Sequence, residues 1–574
     1  MLERGASVPA GLPLVPGAAI DRRRWVPAAV AAVVSVPLIM MLVSLIVGGG
    51  PTAEGADDAL LTLAMRDATR RGVLIGPYSR FGWHHPGPAY LYLAGIPTRL
   101  WGGGPTGSWI GAVLLATGTA IALTLLVRRA LGPRPGWWAV AGVLLVVCGV
   151  GPNLFRDPWN PYVVILPVLF TIVACALAAA GTRAALVWAA VVGTIAIQTH
   201  ISCAPVVGAA LVLGAIAVGI RRWRPMSEPP DIPSDLPAVT TVSAVSAVRR
   251  WWRHRPEEVI GLAVLVLEWV PPLWDELFGT HNMTLIWHFF SRRGGLTGWA
   301  TAWKAVASIF GIVMFQHHNG IRDGVADPHP IFTTACFLAL VAAGIVLGLR
   351  RQRPAAVWLG TFGGIGGVLA VYSVTRVVGA PYKYLLIWMA AIPLVPALGV
   401  VVGLQGVRVP RVRAGRAVLL GVVVLSCVAA ARTVLDAPPA VALTNQDAAR
   451  AWQLVAPVLP ATRQPVHIVI NDGGRWPIAS GLALELERRG YPARVDSDWT
   501  LLFGRERLAS GDETVVIYVA SDRNDNWPPA TTAQPLGSTG RGQLFVAREG
   551  PPCWIGWIPM GGPACPVHAS VGVR

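Results

Sequence analysis

The sequence predicts an all-α polytopic membrane domain of about eleven transmembrane helices, followed by a small extracytoplasmic α/β domain. Three observations carry this. Apolar residues make up 54% of the 574 positions and charged ones only 13%, against about 25% charge in soluble domains. Arginine clusters recur between alternate apolar runs. After Leu435 the long runs stop, and short apolar stretches alternate with amphipathic ones. These place a membrane domain at residues 1–436 and a soluble domain at 437–574.

The expected spans, in chain order, are Trp25–Val47, Thr106–Val127, Trp137–Gly151, Pro161–Ala180, Ala184–His200, Ser202–Ile220, Val259–Trp274, Ile331–Leu349, Ala355–Tyr372, Tyr384–Val402 and Ala417–Leu435. Several fall short of the roughly 20 residues that cross a 30 Å hydrocarbon core, so their boundaries are soft. Arg22, Arg23 and Arg24 precede the first span and no small-residue cleavage site follows it, which reads as a retained anchor.

Orientation follows from the arginines. Arg128, Arg129 and Arg134 follow span two, and Arg183 follows span four. Seven lie in the linker 221–256, three at 350–353 and four at 408–416. All fall on the side of the Arg22–Arg24 cluster, which the positive-inside rule makes cytoplasmic. The net charge of +17 is then a topology signal and a contact with anionic lipid headgroups. Nucleic-acid binding is excluded as a main role, because it would need these cations on one folded surface. An odd number of spans puts the 48–105 loop and the tail outside. Five cysteines sit in apolar spans, where a thiol packs as a hydrophobe. Cys553 and Cys565 lie in the tail, with eleven residues between them, as an expected disulfide on the oxidising side.

Between the spans, the Pro- and Ser-rich stretch 225–248 reads as a flexible cytoplasmic linker. Trp299–Phe315 needs both its ends outside, and is expected as an interfacial or re-entrant helix on the outer face; 88–101 reads the same way. In the tail, Asp447–Leu459 and Ile478–Arg489 are helix candidates, with Gly490 capping the second. Val466–Ile470, Val515–Ala520 and Gln543–Ala547 are strand candidates. Asn471-Asp472-Gly473-Gly474 is expected to be a turn; it lacks the full phosphate-binding glycine pattern.

The polar segment Ala56–Leu93 carries the chemistry. Asp57 and Asp58 open it, Tyr78 and Arg80 follow, and Trp83-His84-His85-Pro86-Gly87-Pro88 leads back into apolar sequence. Acids followed by cations and imidazoles at a bilayer surface suit an anionic, lipid-carried substrate. Glycosyl transfer from a lipid phosphate needs a base for the acceptor hydroxyl, cations for the leaving phosphate and a dry groove. A carboxylate can be that base. Arginine suits the phosphate, because its planar fork makes paired charge-assisted hydrogen bonds.

The Asp-Asp pair and the element Phe81-Gly82-Trp83-His84-His85-Pro86-Gly87-Pro88-Ala89-Tyr90-Leu91-Tyr92 resemble the first outer loop of GT-C class glycosyltransferases. The protein O-mannosyltransferase and aminoarabinose transferase group is the nearest echo. There an Asp-Glu pair follows span one, and an aromatic-x-Glu-Lys-Pro-Pro element precedes span two. The resemblance implies Asp57 as catalytic base and Asp58 in the place of the family's Glu. His84 and His85 fall where the group has Glu and Lys, and imidazole is only partly charged at neutral pH. It implies a bacterial plasma-membrane enzyme that takes a sugar from a polyprenyl-phosphate donor, with inversion at the anomeric carbon. The acceptor would be an extracytoplasmic glycan, lipid or protein.

Further candidates for substrate binding are Arg156, Trp159 and Asn160 in one outer loop. Arg376 and Lys383 in another keep cations outside, against the topological bias. Gln198-Thr199-His200 and the intramembrane Glu268 read equally well as helix-pairing groups. No cofactor is expected. A divalent metal is the weaker alternative, since seven of the eleven histidines fall in outer loops without helical ligand spacing. A flippase for a lipid-linked saccharide is the rival function, and a scaffold for envelope assembly a third. The near absence of ionisable groups within the spans favours surface chemistry over translocation. A reporter fused after Leu435 should read outside and one within 225–248 inside; opposite signals at either place would overturn this orientation.

Overall fold

The computed structural model describes residues 22–48, 50–182, 184–223, 256–291, 296–315, 329–406, 443–471, 473–521 and 533–547, with short pieces at 420–431 and 554–559. Cys553, Cys565, His317, His318 and most of the 221–256 linker lie outside the described residues, and so does most of the expected span Ala417–Leu435.

Ten of the eleven expected spans fall on described helices. These are α1 (Arg22–Val47), α4 (Pro105–Leu131), α5 (Pro133–Val150), α6 (Asn160–Ala179), α7 (Ala185–Thr199), α8 (Ile201–Arg221), α9 (Pro256–Phe278), α12 (Pro330–Arg350), α13 (Pro354–Thr375) and α14 (Lys383–Gly403). Seven of them are long and apolar enough to cross a bilayer by themselves. Every residue of Ile165–Ala179 is buried. A helix apolar on all faces must be enclosed, and α6 is the axis of the bundle. On the other side, α12, α13 and α14 approach closely over glycines. A Cβ added at Gly363 would stand 2.5 Å from the Pro396 ring, and one at Gly360 2.8 Å from Ile345. Small residues let helix backbones come together where lipid offers no hydrophobic drive.

Two shorter helices pack on the bundle. α3 (Ala89–Leu100) runs beside the start of α4, with Thr98 against Gly107 and Ala94 against Gly111; it buries Tyr90, Leu91 and Ala94 and exposes Leu93, Ile96 and Leu100. α11 (Trp299–Phe315) meets α12 through Trp303 and Thr334, Phe310 and Phe337, and Phe315 and Phe332. Both its ends therefore meet the first turns of α12, and α11 enters and leaves at one level. Its Ala302, Ala305, Ile309 and Phe310 are buried in the bundle core, so it is tucked under neighbouring helices rather than laid on the outer face.

The tail is a five-stranded sheet with helices α15 (Leu443–Val455) and α16 (Trp476–Arg488). Its strands are β3 (Val466–Ile470), β4 (Ala493–Val495), β5 (Val515–Ala520), β6 (Gln534–Ser538) and β7 (Gln543–Ala547), in the order β4-β3-β5-β7-β6. β3 is parallel to β4 and β5; β7 is antiparallel to β5 and β6. β6 sits at the edge with a register shift at Pro535/Gly537, where a missing N–H is tolerated.

Between bundle and tail stands α2 (Ala56–Arg70), which belongs to both. Its Leu61, Met65 and Ala68 pack into the membrane core, while Ala59, Leu60 and Leu63 pack into the core of the tail. The loop 48–105 and the tail therefore share one side of the bundle. Their contact is tight at Gly481 of α16, where an added Cβ would lie 2.3 Å from the Ala448 Cβ and 2.4 Å from the Glu54 carbonyl oxygen. Backbone cannot yield as a side chain can. Gly481→Val should lower stability by roughly 1–3 kcal/mol, as overpacking does, read as a lower melting temperature of the purified protein; an unchanged melting temperature would disprove the close packing.

Candidate active site

A cavity of 970 Å³ opens where the 48–105 loop, the adjoining helix ends of the bundle and the tail meet. Asp57 stands on its wall, in the first turn of α2. Glu54, Asp57 and Asp58 are held there because Gly55 N–H donates to Asn445 Oδ1 at 3.0 Å and the Ala56 carbonyl accepts from Ser480. Both partners belong to the tail. The hydroxyl of Tyr78 donates to Asp57. Tyr78 is carried by a short hairpin, β1 (Tyr78–Ser79) with β2 (Trp83–His84), whose tip brings Arg80 to the same cavity. Burial raises the Asp57 carboxyl above its ordinary value, and the Tyr78 hydroxyl and the Arg80 charge moderate the rise.

Asp58 is not on the cavity wall. It turns toward a buried carboxyl group that the spacing alone did not indicate. Burial raises it well above the ordinary range, and the charges of Asp157, Glu54 and Asp57 add to the rise. Glu54 is buried and pushed up to about 8, although Thr62 and Trp109 donate to it at 2.7 and 2.9 Å. Asp157 is pushed up to about 7 by burial, against the hydrogen bond it accepts from Trp159 N–H at 2.9 Å and with repulsion from Asp57. It is the one acid of the outer loop 153–163, beside Arg156 and Trp159. A lone acid next to an arginine in a short loop between apolar runs is the signal that could have found it.

The other expected site residues divide. Arg80, His84, His85, Trp159, Asn160 and Arg376 line the cavity with Tyr78. Arg156 and Lys383 do not. Arg156, a candidate for substrate binding, is buried and donates to Asn153. Lys383 starts α14 and does not line the cavity that Arg376 lines. The imidazoles supply no cation. Burial lowers His84 to about 4 and His85 well below its usual value. His85 Nδ1 accepts from Ile201 N–H at 3.1 Å, which fixes it as an unprotonated nitrogen. Their role is placement: Asn282 accepts from His84 N–H at 2.8 Å and donates to the His84 carbonyl at 2.9 Å, tying the hairpin to α10 (Asn282–Ser291).

Phe81, Trp83, Phe289 and Phe290 form a continuous aromatic wall of the cavity, with ring centroids 4.9–6.5 Å apart. The Arg80 guanidinium lies over Phe81 at 4.9 Å, and the Arg376 guanidinium donates to the Phe290 carbonyl. Tyr384, which sequence reading passed over, packs on Trp159 at 4.7 Å and also faces the cavity. The arrangement brings a carboxylate, two guanidinium groups and an aromatic wall to one cavity. Among the described residues, no group of three or more His, Cys, Asp or Glu is arranged to hold a metal ion.

No protein-family model and no curated protein matches this chain. Solved structures do. ArnT from Cupriavidus metallidurans bound to undecaprenyl phosphate superposes with a TM-score of 0.53 at 14% identity, over 91% of this chain and 99% of that one. Its apo state gives 0.53 at 13% identity, over 90% and 98%. The fold is the GT-C fold. An archaeal oligosaccharyltransferase from Archaeoglobus fulgidus aligns at a TM-score of 0.35 and 13% identity, over 80% of this chain and 64% of that one. The GT-C fold here pairs a helical bundle with a small α/β domain, and both parts wall the cavity.

The four acids make stability depend on pH. Glu54 has a folded value near 8 against an ordinary 4.5, so between those values the folded chain holds the extra proton. Stability then falls as pH rises from about 4.5 through 8, the reverse of a salt-bridged carboxylate. Glu54→Gln, which keeps an acceptor for Trp109 and turns an N–H to the Thr62 hydroxyl without the charge, should flatten this decline in melting temperature between about pH 5 and 9. An unchanged slope would mean that Glu54 is ionised in the fold.

Proposed function

We propose that the chain is a membrane glycosyltransferase that moves a sugar from a polyprenyl-phosphate donor to an acceptor outside the cytoplasmic membrane. One observation carries this reading. Asp57 stands in the cavity at the meeting of bundle, loop and tail, gripped by Tyr78 and facing Arg80, while Asp58 turns away. Of the two adjacent acids, only one can reach an acceptor there. ArnT from Cupriavidus metallidurans is bound to undecaprenyl phosphate in its solved structure, which supports a lipid phosphate as the class of donor for this chain.

In this mechanism the acceptor hydroxyl gives its proton to Asp57 as its oxygen bonds to the anomeric carbon. The bond from that carbon to the phosphate oxygen breaks, and the electron pair leaves with the polyprenyl phosphate. Arg80 and Arg376 neutralise the departing charge. The carboxyl raised by burial has a proton affinity nearer to neutral pH, which suits a general base. The aromatic wall of Phe81, Trp83, Phe289 and Phe290 suits the apolar isoprenoid beside the phosphate and keeps water from the leaving group. Attack from the side opposite the phosphate inverts the anomeric configuration. The envelope glycan, lipid or protein that accepts the sugar enters from the tail side of the cavity.

Asp57→Asn should lower turnover by about 10²–10⁴-fold while leaving expression and binding of undecaprenyl phosphate intact, the cost of removing a positioned base. Asp58→Asn should cost less. Arg376→Ala should weaken undecaprenyl phosphate binding several-fold, since a charge-assisted hydrogen bond contributes roughly 1.5–3 kcal/mol. Purified protein with polyprenyl-phosphate sugars provides the assay. Turnover of Asp57→Asn at the wild-type level would sink the assignment, and so would a retained anomeric configuration in the product.

A further inference from the structure

Arg507 lies in the tail, 440 residues from its partner on α2. Its side chain is 1% exposed, among the largest fully buried groups of the molecule. The guanidinium makes two paired contacts. Nη1 and Nη2 donate to Asp67 Oδ2 and Oδ1 at 2.8 and 3.1 Å, and Nε and Nη2 donate to Glu487 Oε1 and Oε2 at 2.7 and 3.0 Å. Nη1 also reaches the Phe503 carbonyl at 2.6 Å and Glu506 at 2.9 Å. Burial would raise Asp67, but the Arg507 charge holds it below the ordinary carboxylate range. Beside it, Arg66 of α2 donates to the Glu487 carbonyl at 3.0 Å and the Gly103 carbonyl at 2.8 Å.

The tail thus grips α2 at both ends: through Asn445 and Ser480 at the first turn, where Asp57 sits, and through Arg507 at Asp67. Ten residues of helix separate the two acids, about 15 Å. A helix is stiff on this scale, so its rotation or slide at Asp67 is passed to Asp57. Sequestering three charges carries a large desolvation cost, and well-packed apolar side chains hold such a place equally well or better. A planar fork gripped on two edges does what they cannot: it admits one orientation of the partner helix. The segment Thr500–Arg507 that carries the fork also walls the cavity.

We propose that Arg507 is a positioning residue for the chemistry at Asp57, setting the register of α2 so that the carboxylate meets Tyr78 and Arg80. The outer domain is then a working part of the active centre. This rests on the glycosyltransferase reading above.

The test uses the full chain in lipid nanodiscs, with turnover normalised to the sites that bind undecaprenyl phosphate. Two variants are compared with the wild type: Arg507→Lys, which keeps the charge and loses the fork, and Arg507→Met with Asp67→Leu and Glu487→Leu, which replaces the cluster by apolar packing. Both should bind undecaprenyl phosphate within about twofold of wild type and lose roughly tenfold or more in kcat, with KM for the donor little changed. The titratable and charged groups that act on Asp57 are Tyr78, Arg80, Tyr162, Tyr384, Asp58 and Asp157. Drawing Asp57 away from the Tyr78 hydroxyl and the Arg80 charge should move the acid limb of the kcat/KM profile to higher pH. A role in stability alone leaves that limb in place and leaves the apolar variant fully active per binding site. Either result would overturn the proposal. Should the triple variant not fold, Arg507→Lys decides by the same two readouts. Wild-type protein without transfer activity would instead remove the glycosyltransferase reading. Amide exchange over residues 56–70 would then still judge the clamp: it should rise in Arg507→Lys, and unchanged exchange would reject it.

Discussion

Helix α2 must bury two faces at once, one in the membrane bundle and one in the outer domain. Everything at the cavity depends on this. A fifteen-residue helix has little stability of its own, since most helical stability in proteins comes from packing. Here Leu61, Met65 and Ala68 find the bundle, and Ala59, Leu60 and Leu63 find the tail. Neither partner alone covers the helix. Asp57 therefore has a defined place only when both domains are assembled on it, and Arg507 fixes which place that is.

The acids illustrate how burial sorts identical side chains into different roles. Asp57 keeps a hydroxyl donor and a cation within reach, and so holds a usable carboxylate. Asp58 and Glu54 lie behind it, where burial favours the protonated form. Asp157 stands between these cases, near 7. Of these four acids only Asp57 lines the cavity, together with the aromatic rings and the guanidinium groups of Arg80 and Arg376; the other three stand behind it.

The histidines read differently in three dimensions. In the sequence, two adjacent imidazoles beside Trp83 and Pro86 resemble a charged element. In the fold, His85 accepts from a backbone N–H and rests against the rings of Trp83 and His200, at 5.5 and 5.3 Å, and His84 lends its backbone to Asn282. They fasten the hairpin that carries Tyr78 and Arg80. Neutral imidazole serves this better than imidazolium, because a buried unpaired charge would work against the packing that holds the hairpin.

Elements with local signals were legible in the chain before any fold was known. Apolar length marked the spans. Alternation marked Val466–Ile470, Val515–Ala520 and Gln543–Ala547, which are the observed strands. The Asp-Asp pair and the hairpin motif marked one end of the site, because their residues lie within forty positions of each other. Short β4 and the proline-bearing edge strand β6 carried too few apolar residues to be seen. Which acids meet is a matter of tertiary packing alone, since Asp157 comes to Asp58 from a loop about a hundred residues further along the chain and no spacing encodes it. The same packing buries Arg156 behind its loop, turns Arg376 to the cavity, and joins Arg507 to Asp67 across 440 residues. Arginine looks alike on a solvated surface and in a buried clamp. Its surroundings separate the two, and these are set by chain segments that come together only when the outer domain closes over α2.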